Sequence, residues 1–76
     1  MDAIARHYTI YHGAADLEPG YAVREVLIGR GQVEVGHVLV SGLRSLADAR
    51  QAVPREADAC IHRGPEDDPA IVETWI

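Results

Sequence analysis

Apolar and polar residues alternate through the first half of the chain, change once to a helical period, and then return to a strand-like pattern. The segment His7-Tyr8-Thr9-Ile10-Tyr11-His12 is rich in aromatic and β-branched residues and stops at Gly13, which predicts a strand. Ile4, Tyr8 and Ile10 share one parity, with Thr9 and Tyr11 on the other, because successive strand side chains point to opposite faces. Residues 13–20 contain Asp16, Glu18 and Pro19-Gly20, the chemistry of a turn in a connecting loop.

Residues 21–28 predict a second strand of mixed pattern. Tyr21, Val23 and Leu27 lie on one face and Val26 and Ile28 on the other. That suits a central strand with apolar contacts on both sides, or a bulge near Arg24-Glu25. Gly29-Arg30-Gly31 then supplies a hairpin turn, since glycine takes positive φ without steric cost. In the third strand, residues 32–40, Val33 and Val35 alternate with Gln32 and Glu34, after which Val38 and Val40 fall out of phase. Gly36 stands at the flip, and an extra residue there would produce it, so a bulge is expected at Gly36.

Ser45-Leu46-Ala47-Asp48 is the clearest local signal. Ser45 suits the N-cap, and Asp48 sits three positions on, where a carboxylate favours the positive end of a helix. Leu46, Ala49 and Val53 form one apolar stripe, with Asp48, Arg50 and Gln51 facing away, and Pro54 ends the helix near Ala52 or Val53. About two turns of helix cannot persist alone, so this one must pack on a sheet. Residues 57–63 suit a fourth strand with Ala57, Ala59 and Ile61 in phase. Gly64-Pro65-Glu66-Asp67-Asp68-Pro69 forms an acidic loop, and residues 70–76 are β-prone to the last position. The expected architecture is a single α+β domain over residues 1–76: a small antiparallel sheet of four to five strands, order βββαβ(β), with one short helix packed on one face.

Seventy-six residues make a thin core, with a stability of roughly 4–11 kcal/mol at the usual ~0.05–0.15 kcal/mol per residue. The large core candidates are few, because the chain has no Phe and one Trp. Twelve acids face seven bases, all of them Arg, for a formal charge of −5. That balance argues against a phosphate-binding footprint and leaves open a basic protein partner. One cysteine excludes an internal disulfide framework and suits a reducing compartment. The first residues lack a basic segment followed by an apolar stretch, and no apolar run approaches 18 residues, so a cytoplasmic location without a membrane span is expected.

Cys60 and His62 are two apart, so a strand would point both the same way, as two ligands of a soft metal require. The remaining ligands would have to come from His7, His12 or His37, none at a recognised spacing, and an ordinary thiol beside a surface histidine explains the pair as well. Cys60 as a nucleophile would need a neighbouring base and an electropositive pocket. Glu66, Asp67 and Asp68 do not alternate as calcium ligands do, and they suit either a solvated turn or an acidic knob that docks on arginines of a partner. Gly29-Arg30-Gly31 is too short for a phosphate loop. Trp75 and Ile76 belong to a β-prone terminus that either completes its own sheet or offers an exposed edge to another chain.

No catalytic residue, cofactor or metal is therefore expected, and the leading reading is a non-catalytic protein-binding module. It would dimerise with itself, or act as an inhibitor or adaptor on a larger complex, with Glu66, Asp67, Asp68 and Trp75 as the partner-binding candidates. In size and charge alone the chain resembles phage and mobile-element accessory proteins, some of which inhibit bacterial defence complexes. Two other readings remain: a small metal-binding or enzymatic protein using Cys60 and histidines, and a nucleic-acid binder that gathers its arginines on one face.

Overall fold

The computed structural model describes residues 4–76; Met1, Asp2 and Ala3, part of the N-terminus read above as non-secretory, lie outside them. The elements run β1 (Ala5–His12), β2 (Tyr21–Gly29), β3 (Gln32–Leu43), α1 (Leu46–Ala52), β4 (Cys60–His62) and β5 (Ile71–Trp75). All five strands form one antiparallel sheet in the order β3-β2-β1-β5-β4. The α+β architecture expected from the sequence is present, with every strand in its place along the chain. The fourth, Cys60–His62, is shorter than the sequence implied, because Ala57 turns into the core; Ala59 still exchanges backbone hydrogen bonds with Ile76 at the ladder's end.

The register explains the layering, because residues directly opposite one another across a ladder share a face. Ile10 stands opposite Val23 on one side and Glu73 on the other, and all three are shut off from solvent. Above them lie Ala49 of α1 and Ala57, completing a small cluster with Tyr8. Leu46, Ala52, Val53, Val40, Leu43 and Trp75 pack around it, half-buried.

Ser45 caps α1 as its sequence predicts: its hydroxyl oxygen accepts from the Asp48 backbone N–H at 3.1 Å. The Val53 N–H bonds back to the Arg50 carbonyl, and the chain turns extended before Pro54. The stripe on Leu46, Ala49 and Val53 faces the sheet, but only Ala49 is wholly enclosed. Leu46→Ala is accordingly expected to cost about 2 kcal/mol, the low end for truncating an apolar core residue. Equilibrium unfolding in urea checks this; a loss under about 0.5 kcal/mol would mean the helix does not seal the sheet.

β3 departs most from a regular strand. Arg24 pairs with Val38 and Val26 with Val35, two steps on β2 against three on β3, which places an extra residue in the Gly36-His37 stretch as expected. A Cβ on Gly36 would lie 3.0 Å from the Glu25 carbonyl oxygen, so the ladder closes there only around a glycine. The register slips twice more, between the partners of Tyr21 and Val23 and of Val23 and Arg24, and the extra residues fall on β3, not near Arg24-Glu25 of β2. Gly42, at φ +70, occupies the last of these irregular stretches, where a side chain would run into the Glu18 carboxylate.

Candidate functional site

Three places in the fold gather chemistry; Trp75 belongs to the first and Asp68 to the second, and Glu66 and Asp67 stand outside all three. The first is a buried carboxylate. Glu73 sits in β5 on the core side of the sheet, 1% exposed. Arg50 grips it from α1 with a two-pronged pair, Nε to Oε2 at 3.1 Å and Nη2 to Oε1 at 2.8 Å. The Trp75 indole N–H donates to Oε2 at 2.6 Å, and Cys60 stands beside them, opposite Trp75 across the β4–β5 ladder. Arg50 first, then Trp75 and Cys60, hold the Glu73 carboxyl below its ordinary value against the opposing effect of burial. The helix position read as facing away thus reaches over the sheet. Arg50 is long enough to keep its stem in solvent, its side chain 48% exposed, while its guanidinium ties α1 to β5.

This cluster also decides the chemistry of Cys60. Cys60 is exposed, yet partial desolvation of the sulfur, and then the neighbouring Glu73 carboxylate, push the thiol above its ordinary value. A nucleophile or a thiolate ligand needs the opposite shift. At about pH 8, alkylation of Cys60 by iodoacetamide is expected to run several-fold slower than that of an unstructured cysteine peptide, and Glu73→Gln should speed it. A rate equal to the peptide's would contradict a raised thiol at Cys60. His62 lies on the same side of the sheet as Cys60, two residues along β4. Among the described residues no group of three or more His, Cys, Asp or Glu side chains converges in a way that could hold a metal ion.

The second place is a cleft of about 680 Å³ at one end of the sheet, between the end of β1, the loop that follows it, and Asp68-Pro69-Ala70. Arg24 forms its charged wall. Its guanidinium carbon lies 5.6 Å from the centre of the Tyr11 ring, and Nη2 is 3.6 Å from Asp16 Oδ2, beyond hydrogen-bond reach. Arg24 Nε is enclosed with no acceptor. His12 stacks on Tyr21 at 4.2 Å beside the cleft. Two carboxylates, Asp16 and Asp68, share this cleft with one guanidinium, so it does not extend into a basic surface. Arg24 stands beside the acidic loop, not opposite it, and Arg50 is committed to Glu73.

The third place is the face of the sheet turned away from α1. Ile28 opposite Val33, Val26 opposite Val35 and Arg24 opposite Val38 put an apolar stripe there. Val33 is 72% exposed, Val35 61% and Val38 37%, and Val26 and Ile28 are half-buried beside them. The mixed pattern of the second strand predicted apolar contact on both its faces. On the side away from α1 the chain buries Thr9 and Ala22 and leaves the valines of β3 open.

The acidic loop spends much of its polarity on its own shape. Asp67 accepts from the Gly64 N–H at 2.8 Å and Asp68 from the Ala70 N–H at 2.9 Å, while Glu66 is exposed. Trp75 lies at the far end of β5 from this loop, half-buried and bonded to Glu73. The four residues therefore form no common surface. The terminal strand is not an edge either, since β5 runs between β1 and β4. A carboxylate amid the apolar run Ile71-Val72-Glu73-Thr74-Trp75 was the available sequence signal for the buried pair. The bare face had its signal in Val33 and Val35.

Fold and surfaces together define a small α+β protein: a five-stranded antiparallel sheet, sealed by one helix on one side and bare on the other. No protein-family model matches the chain, and neither does any curated protein or solved structure at a significant level. Among the described residues no helix is long and apolar enough to cross a membrane.

Proposed function

We propose that this chain is a non-catalytic protein-binding module that acts by docking the bare face of its sheet on another protein molecule, as a dimer with itself or as an inhibitor or adaptor of a larger complex. The observation that carries this reading is the valine stripe: Val33, Val35 and Val38 lie open on one face, flanked by Val26 and Ile28. A contiguous apolar strip rimmed by polar groups is the usual mark of a surface that another molecule covers. Arg24 and Tyr11 at its end are residue types that anchor interfaces.

Size fractionation of extract from the cells that make the protein tests this. The chain is expected to migrate well above the 8.3 kDa of a single copy, and Val33→Asp with Val35→Asp to return it to single-chain size with its circular dichroism unchanged. Wild-type protein running as a single chain in that extract would refute the reading.

A further inference from the structure

We infer that the occupant of the bare face is a second copy of this chain, the two sheets stacked face to face about a two-fold axis. This rests on the protein-binding reading and names the partner.

The edges of the sheet come first, because they are the other place where β-proteins associate. β3, at one edge, carries three register slips, and β4, at the other, is three residues long. Bulges and very short edge strands are the devices that stop a sheet from adding a foreign strand. Association is thereby diverted from the margins to the face, where two sheets pack about 10 Å apart with their inward side chains interleaved.

Charge then selects the partner. The chain carries twelve acids and a formal charge of −5, yet among the described residues no acid occupies a strand position on the bare face. Arg24 is the formally charged group in those strand positions, and Asp16 already stands 3.6 Å from it. A basic partner would find no carboxylate along the valine stripe, and only Asp16, already beside Arg24, at its end. An identical copy would meet valine with valine and bring no two acids together, while the acid excess stays on outer surfaces. A two-fold axis through the stripe makes such a contact self-complementary by construction.

The body measures 34 × 26 × 21 Å, so no flat contact can exceed an outline on the order of 900 Å², and an interface near the standard ~800 Å² per partner would have to use nearly the whole face. Stacking would also give the thin core a second apolar layer, a common route to stability for chains this small.

Sedimentation equilibrium of the purified chain, from micromolar to millimolar concentration, tests the inference. The expected result is a concentration-dependent approach to twice the 8.3 kDa of one copy. Val33→Thr with Val35→Thr, which keeps β-branched side chains in the strand, should weaken the dimer by more than about tenfold. Glu34→Ala, on the other face of the same strand opposite Leu27, should leave it unchanged. A single-chain mass at every concentration overturns the second copy. If the chain nevertheless migrates as a larger species in its own cell extract, the protein-binding reading survives that result; single-chain size in both removes the two together. Should the valine variants unfold the monomer, the stripe belongs to the chain's own core, and both also fall.

Discussion

Ile10→Ala is expected to remove about 3–5 kcal/mol of stability, the upper range for truncating a core aliphatic side chain. Ile10 lies in β1, the middle strand of the sheet, with no exposed surface, between Val23 and Glu73 and in the same cluster as Ala49 and Ala57. The neighbours cannot collapse into the space it leaves. Ala49 and Ala57 have no side-chain reach, Val23 is locked in a central strand, and Glu73 is held by Arg50. A chain of this size has roughly 4–11 kcal/mol in all, so the variant loses from about a quarter of its stability to the whole of it. Urea titration followed by circular dichroism measures it. A loss under about 1 kcal/mol would mean that the core lies elsewhere.

The second large effect belongs to Glu73. Glu73→Ala is expected to cost about 2–3 kcal/mol, less than the ~3–5 kcal/mol typical of breaking a wholly buried ion pair, because Arg50 swings into water when released. What remains uncompensated is the Trp75 indole N–H, which loses the acceptor at 2.6 Å. Glu73→Gln, which keeps an amide oxygen for Trp75, should cost less. The pH dependence follows from the direction of the shift. Arg50, Trp75 and Cys60 hold Glu73 below the ordinary value of about 4.5, so its ionised form is favoured by folding. The stabilisation is complete above the unfolded value and is lost as pH falls below it and through the folded one. Thermal unfolding of wild type should therefore show a drop in stability below about pH 4.5 that Glu73→Gln lacks. Equal acid sensitivity in the two proteins would show that Glu73 is not the titrating carboxylate.

These two residues also separate what sequence reasoning could reach from what it could not. Ile10 was legible: its parity with Tyr8 in a β-rich hexapeptide marks a core face, and the core is where it lies. Ser45 and Gly36 were legible for the same reason, since a cap, a bulge and a turn are settled within a few residues of chain. Glu73 was not. Its bond to Arg50 spans 23 residues, and a helix position that points outward by periodicity reaches the sheet only because the arginine side chain is long. The acidic loop and Trp75 were separate partner-binding candidates, and only the fold shows that they stand at opposite ends of β5.

Sequence by itself determined which segments are strands, where the helix begins and ends, and that the helix must lie on a sheet, because these follow from periodicity, capping and turn chemistry acting over short spans. Tertiary structure alone decided that β5 enters between β1 and β4, that a carboxylate can be buried beneath α1, and that one apolar face stays uncovered. Those outcomes depend on which distant groups can satisfy one another's charge, hydrogen bonds and surface at the same time. No local pattern encodes that. A single two-turn helix covers one side of a five-stranded sheet and leaves the valines of the other open.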